Sequence, residues 1–210
     1  MSTSTLSRRE LVLASASPRR RELISLFGLP YRVLPPAEVD ESIHDHEPAD
    51  KAATRLARLK AHSTASRIDT GVVLGADTIV VCDGQLLGKP VDEEDALRML
   101  RLLNGREHQV YTGVVLLEVS GGLVVREQSD VVCTRVWFRR VSEDHLRRYV
   151  ATGEPLDKAG AYGAQGFGST LIERIEGCYF NVVGLPVSRV CAMLESWGFV
   201  PLGTVAEKNL

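Results

Sequence analysis

The stretch Thr70-Gly71-Val72-Val73-Leu74-Gly75-Ala76-Asp77-Thr78-Ile79-Val80-Val81-Cys82-Asp83-Gly84 decides the architecture. It reads as a strand apolar on both faces, rich in β-branched residues and bounded by turn residues, the pattern of a strand covered on each side by other elements. Asp77-Thr78 interrupts that pattern. An ionised carboxylate alone in apolar surroundings is costly, so Asp77 must stay protonated or find a cation or hydrogen-bond donors. Two readings are open at this point. Either the strand breaks at Gly75 and Asp77 is a satisfied turn residue, or Gly75 and Ala76 open room beside a carboxylate that holds a metal or a water at a cleft.

Downstream, Asp83-Gly84 is a hairpin turn and Gln85-Leu86-Leu87-Gly88-Lys89-Pro90 the returning arm, a length that can set Lys89 on the same side of the sheet as Asp77. Asp92 then caps a helix that runs to Leu103 and stops at Asn104-Gly105. Upstream, residues 48–66 have helical periodicity, with Ala53, Leu56 and Ala57 on the inner stripe and Lys60 one turn further along it. Lys60 is either a snorkelling side chain with an apolar stem or, near a phosphate, a charge clamp.

Leu11-Val12-Leu13-Ala14 is a short buried strand leading into a helix with Ser17 at its cap, Pro18 at its first position and Gly28 at its stop. The first turn of that helix carries Arg19, Arg20 and Arg21. Cations there oppose the helix dipole by a few tenths to about 1 kcal/mol each. Either they are solvated on an exposed face, or a polyanion docks against them, the free backbone N–H groups and the Ser15 and Ser17 hydroxyls. The second reading resolves the conflict and describes a triphosphate cradle.

Tyr31-Arg32-Val33-Leu34 is a second strand, closed by Pro35-Pro36 before the acidic patch Glu38, Asp40 and Glu41 and the run His44-Asp45-His46-Glu47. Such a patch is ordinarily a solvated loop, and it can also furnish one or two oxygen ligands to Mg²⁺. Val110–Val119 and Leu123–Phe138 read as a hairpin about Ser120-Gly121-Gly122, and Ser142 caps a helix that Gly153-Glu154-Pro155 stops. Asp157-Lys158-Ala159-Gly160-Ala161-Tyr162-Gly163-Ala164-Gln165-Gly166-Phe167-Gly168-Ser169 is glycine-rich without P-loop or dinucleotide spacing. It is either a lid or a backbone that approaches a ligand closely, with Gln165 offering a donor and an acceptor to a base edge. Residues 171–181 read as a further hairpin about Glu176-Gly177, and a last helix follows Gly184-Leu185-Pro186, with Val187, Val190, Leu194 and Trp197 as core.

With 210 residues, 44% of them hydrophobic, the chain can bury an ample core as one large α/β unit or two lobes sharing a sheet. Its 25 basic and 27 acidic residues give a formal net charge of -2, so no global positive field draws in nucleic acid and any anion must be met by local charge. Cys82, Cys133, Cys178 and Cys191 lie far apart without a C-x-x-C pair, which indicates free thiols and a reducing, cytoplasmic setting. Neither a signal peptide nor a membrane span is expected, and residues 1–9 and 202–210 are expected to be frayed tails of a single domain spanning 1–210.

Taken in order, Ala14-Ser15-Ala16-Ser17-Pro18-Arg19-Arg20, Leu74-Gly75-Ala76-Asp77-Thr78-Ile79-Val80, Leu87-Gly88-Lys89-Pro90, the stretch 157–166 and Asn181-Val182-Val183-Gly184-Leu185-Pro186 resemble the signature blocks of the Maf family of nucleoside triphosphate pyrophosphatases, over nearly the whole chain. The resemblance implies a mixed α/β fold with an elongated central sheet flanked by helices and a cleft between two lobes, related to the inosine triphosphatases. It implies hydrolysis between the α and β phosphates with a divalent cation, Mg²⁺ or Mn²⁺, in a homodimer. By the same analogy Asp77 is the general base or a metal ligand, Glu41 a further metal-side residue, and Ser15, Arg19, Arg20, Lys60 and Lys89 line the phosphates. The late block also resembles the branch acting on dTTP and UTP, which makes Arg20, Thr78 and Gln165 the selectivity positions. Ala164 departs from the bulkier aliphatic usual there and loosens the base pocket slightly. The rival expectations are a pyrophosphatase for 7-methyl-GTP or purine triphosphates, and a non-catalytic nucleotide sensor restraining septum formation. Nucleotide-pool cleaning and arrest of cell division are the cellular roles the resemblance suggests.

Overall fold

The computed structural model describes residues 9–44 and 47–203. Most of both expected tails, and Asp45 and His46 of the acidic run, lie outside the described residues. A seven-stranded mixed sheet organises the chain in the order β2-β1-β3-β5-β6-β7, with β4 pairing on β3. Its strands are β1 (Leu11–Ala14), β2 (Tyr31–Val33), β3 (Thr70–Cys82), β4 (Gln85–Leu87), β5 (Glu107–Ser120), β6 (Leu123–Phe138) and β7 (Ile172–Glu176). Its helices are α1 (Pro18–Ser25), α2 (Ala49–Ala65), α3 (Glu93–Leu103), α4 (Glu143–Val150), α5 (Tyr179–Val183) and α6 (Val187–Ser196).

The strand carrying Asp77 does not break at Gly75. β3 runs continuously, with β5 antiparallel along nearly all of one edge, Asp77 opposite Gly113 and Thr78 opposite Thr112. Its other edge is shared: β1 pairs parallel as far as Gly75, and β4 takes up antiparallel pairing from Val80. Between them, residues 76–79 have no strand partner on that side among the described residues. A cleft can reach the sheet only where an edge is left open, and here the opening coincides with the polar interruption of the apolar strand.

Gly75 has a different purpose from the one its sequence suggested. A Cβ on Gly75 would lie 2.6 Å from the Ala57 carbonyl oxygen, and one on Gly113 would lie 2.4 Å from the Ala53 carbonyl oxygen. The two glycines, on adjacent strands and the same face of the sheet, let α2 press its backbone against the sheet rather than leaving space for a ligand. That close approach carries Lys60 over Asp77. The opposite face is covered by α1 and α6, where Leu13, Ile24, Leu74, Leu116, Leu185 and Leu194 are fully buried.

Asp92 and Ser142 cap α3 and α4 as expected, accepting from the Asp95 and His145 N–H groups. The expected hairpin about Glu176-Gly177 is not formed. β7 pairs back onto β6, and the chain then makes the single helical turn α5, ending at Gly184 with φ +123°. Aromatic and β-branched residues from Tyr179 to Val183 read locally as strand, but Asn181 is buried with its side-chain amide on the Val110 carbonyl, and that tertiary bond holds a helical turn.

Candidate active site

The open edge of β3 faces a cleft of about 960 Å³. Ser15, Arg19, Arg20, Glu41, Lys60, Asp77, Thr78, Lys89 and Gln165 line it, whereas Arg21, the third arginine of the expected cradle, does not and donates to the Ala16 carbonyl. β1 delivers the start of α1 to the opening, α2 delivers Lys60, the turn after β4 delivers Lys89, and the glycine-rich segment closes the far side.

Successive residues of a strand point to opposite faces, so Asp77 and Thr78 enter different surroundings. Asp77 lies on the α2 face and is 7% exposed. Its Oδ1 accepts from Lys60 Nζ at 2.5 Å, and the same ammonium donates to Glu41 Oε2 at 2.7 Å. Lys60, itself 8% exposed, is therefore neither snorkelling to solvent nor free to clamp phosphate in this state. In this structure the burial of Asp77 is met by the Lys60 ammonium. Asp77 Oδ2 remains without a partner among the described residues.

The acidic patch separates into different tasks. Asp40 accepts from the Ser42 N–H, and its carboxyl is held below the usual range by that backbone bond and by the Ser42 hydroxyl. Glu47 pairs bidentately with Arg55, whose guanidinium also donates to the Ser42 carbonyl, so the loop is tied to α2. Glu41 alone is brought to Asp77. Among the described residues no group of three or more His, Cys, Asp or Glu side chains is arranged to hold a metal.

On the other face of β3 one cation, Arg20, heads a chain of uncharged groups. Arg20 Nη2 donates to Thr78 Oγ1 at 3.1 Å, Thr78 shares a hydrogen bond with Thr112 at 3.0 Å, and Thr112 donates to the Asn181 carbonyl at 3.0 Å. Arg20 Nε donates to the Gly184 carbonyl at 2.8 Å, and its Nη1 reaches Ser15 Oγ at 3.4 Å. Ser15 Oγ also accepts the Ser17 N–H, while Ser17 makes no side-chain cap. Burial lowers the affinity of Arg20 for its proton against the opposing pull of Asp77, and the guanidinium stays charged in any case. Arg19 points across the cleft to Asp157 Oδ2 at 3.4 Å. Burial of that carboxyl is outweighed by Lys158 and Arg19, which hold it below its usual value. Lys89 stands exposed at the rim with no carboxylate partner among the described residues.

Thr112, Asn181 and Asp157 belong to this site although no role was read for them. A strand threonine and a buried asparagine are chemically ordinary in sequence. Asp157 and Asn181 stood inside motif blocks, which was the available signal. The glycine-rich segment packs closely on its own surroundings. Gly160 takes φ +67° against Val80, Gly166 takes φ +68° against Glu154, and a Cβ at Gly163 would meet the Lys158 stem. These glycines let the segment fold on its own scaffold, with Gln165 left exposed at the cleft wall.

Two carboxylates with one shared ammonium are a hard-oxygen set of the kind that takes Mg²⁺ or Mn²⁺ together with substrate phosphates. The donors fit a divalent cation, provided Lys60 yields one carboxylate contact.

Comparison with known proteins finds relatives over nearly the whole chain. The dTTP/UTP pyrophosphatase of Syntrophomonas wolfei is 50% identical over 89% of this chain and 96% of that protein. Those of Moorella thermoacetica and Carboxydothermus hydrogenoformans are 49% and 47% identical, covering 93% and 90% of this chain and 99% and 100% of theirs. Among solved structures, the Staphylococcus aureus Ham1 protein aligns with a TM-score of 0.48 at 14% identity, over 90% of this chain and 99% of that one, too distant a likeness to speak to chemistry. The family model described as Maf-like protein matches residues 10–197, from the strand that leads into the arginine-bearing helix to the end of the helix behind Gly184, and the chain belongs to that family.

Proposed function

We propose that this protein hydrolyses dTTP and UTP between the α and β phosphates, releasing the nucleoside monophosphate and pyrophosphate. The observation that carries the reading is the meeting, in one cleft, of a buried carboxylate paired with Lys60 and the basic start of α1. Relatives about half identical over nearly their whole length, named for that activity, support it.

The chemistry follows from the placement of charge. A triphosphate is repelled by any oxygen nucleophile, so its charge must be neutralised before water can reach the α-phosphorus. Arg19, Arg20, Ser15 and the first N–H groups of α1 bind phosphate oxygens, and Lys89 neutralises the tail from the rim. Lys60 occupies Asp77 Oδ1 and leaves Oδ2 to orient the attacking water and take its proton. The new bond joins water oxygen to the α-phosphorus as the bond to the bridging oxygen breaks, and that oxygen leaves with pyrophosphate. With Lys60 yielding one of its two carboxylate contacts, the freed oxygen of Asp77 or Glu41, with phosphate oxygens, would hold a divalent cation, which when bound supplies charge neutralisation and polarisation of the phosphoryl group. Gln165, exposed on the cleft wall, presents donor and acceptor to the pyrimidine edge.

Free thiols at all four cysteines support a cytoplasmic setting, and no helix among the described residues is long and apolar enough to cross a membrane. The proposed assembly is a homodimer. Between Leu123 and Thr134 the outer edge of β6 lacks a strand partner among the described residues, which leaves a surface for a second copy.

Pyrophosphate release over a panel of UTP, dTTP, CTP, GTP, ITP and 7-methyl-GTP, with Mg²⁺ or Mn²⁺, tests the reading. UTP and dTTP are expected to lead. Preference for 7-methyl-GTP or a purine overturns the substrate assignment, and binding without pyrophosphate release on long incubation makes the protein a sensor.

A further inference from the structure

Gln165 opens a short helical segment over 166–171 without using its own side chain as a cap. The N–H groups that such a cap would satisfy are taken instead by a residue from outside the segment. Glu154 Oε2 accepts from Phe167 N at 2.8 Å, and Oε1 accepts from Gly168 N at 2.9 Å and from the Tyr149 hydroxyl at 3.0 Å. The same hydroxyl accepts from Gly163 N at 3.2 Å. The backbone is thus held on both sides of Gln165, at 163 and at 167–168. Contact is close enough to exclude side chains: a Cβ on Gly166 would lie 2.5 Å from Glu154 Oε2, and one on Gly168 would lie 2.6 Å from the Tyr149 oxygen. Glu154 is fixed in turn, with its N–H on Thr152 Oγ1 at 3.2 Å and its carbonyl accepting from Lys158. Tyr149 is buried in the core cluster around α3 and α4.

We propose that Glu154, backed by Tyr149, is the positioning residue for base recognition: its carboxylate satisfies the N–H groups next to Gln165 and so frees and aims the Gln165 amide at the pyrimidine. The proposal deepens the pyrimidine-nucleotide reading and rests on it. A bound base can be read by a glutamine amide only if the amide is not consumed locally and its backbone is fixed, because each loose rotor and loop weakens binding and discrimination. Among the described residues the Gln165 amide has no hydrogen-bond partner, as this requires. Glu154 does not touch the nucleotide and acts through the segment it holds.

Glu154→Gln keeps the shape and replaces an acceptor oxygen by an NH₂ that must face an N–H or the tyrosine hydroxyl. Steady-state kinetics of the variant with UTP and CTP are expected to show a roughly tenfold or greater fall in kcat/KM for UTP, carried mainly by KM, and a UTP-to-CTP preference shrunk about tenfold. Tyr149→Phe is expected to act in the same direction more weakly, and the double variant to be no worse than Glu154→Gln alone, since the pair works as a unit. Hydrogen exchange at the Phe167 and Gly168 amides gives a readout independent of turnover, with protection in the wild-type protein and at least tenfold faster exchange in Glu154→Gln. Unchanged amide exchange overturns the proposal. So does an unchanged UTP-to-CTP ratio, or an equal loss for every nucleotide that tracks the folded fraction. If the wild-type protein releases no pyrophosphate from UTP, the pyrimidine reading fails, and the exchange measurement still decides whether Glu154 holds the segment.

Discussion

Asp77 and Thr78 are neighbours in β3, on opposite faces of one sheet and beside one cleft, and the protein makes each tolerable in a different way. Asp77 relies on a single buried ammonium shared with Glu41. Thr78 is one member of a chain running Arg20, Thr78, Thr112, Asn181, in which each link is a hydrogen bond of ordinary length. An ion pair concentrates the free energy in one partner, whereas a chain of hydrogen bonds spreads it over several. Damage to the two faces should therefore differ in size as well as in kind.

The largest effect on stability is expected on the charged face. Lys60→Met leaves Asp77 buried without its cation and should destabilise the fold by about 3–5 kcal/mol at neutral pH. Adding Asp77→Leu should recover most of that, because it is the unpaired charge and not the missing bond that is costly. Urea unfolding of the single and double variants checks both statements, and a Lys60→Met protein as stable as wild type would erase the contrast.

Next in size is a pH effect from the same sheet, in a region with no charge partner. His108, on β5, is buried against Phe138 and shares a hydrogen bond with the Tyr162 hydroxyl at 2.8 Å. Burial pushes its imidazole down to about 4, against a weaker opposing pull from the Arg106 backbone. From about pH 6.5 down to 4 the unfolded chain binds a proton that the folded chain does not, so stability falls as the pH drops through that window. The loss should total about 3 kcal/mol by pH 4 and level off below it as far as this residue is concerned. His108→Gln should flatten that part of the stability profile, measured as urea midpoints at pH 7 and pH 5.

The Thr78 face should give the smallest change. Thr78→Val removes the hydroxyl between Arg20 and Thr112, and should cost about 1–2 kcal/mol of stability. With Arg20 still held by the Gly184 carbonyl, KM for UTP should rise about two- to fivefold with little change in kcat. A kcat loss as large as that of an Asp77 variant would show that the two faces are not separate.

The same contrast explains what could be read before the structure. Asp77 and the arginines at the start of α1 contradict their local surroundings, a carboxylate inside an apolar strand and cations at the positive end of a helix, and contradictions of that kind point to a site. Caps, hairpins and strand pairing from β3 to β6 follow local rules and were equally legible. Thr112 breaks no rule in a strand, so its part in the chain from Arg20 could not be seen. Gly75 was legible as special but not in its reason, because the close approach of α2 depends on residues from another part of the chain. The turn from Tyr179 to Val183 was misread for a related cause: its residues favour strand locally, and the buried Asn181 amide on the Val110 carbonyl overrules them.

The central claim is that the carboxylate paired with Lys60 performs the chemistry of the cleft. Its most direct test is the initial rate of pyrophosphate release from UTP by the wild-type protein and by Asp77→Asn, each shown to be folded by circular dichroism. The account predicts steady release by the wild type and a loss on the order of 10²–10⁴-fold in Asp77→Asn, with nucleotide still bound. Release by Asp77→Asn at the wild-type rate would contradict it.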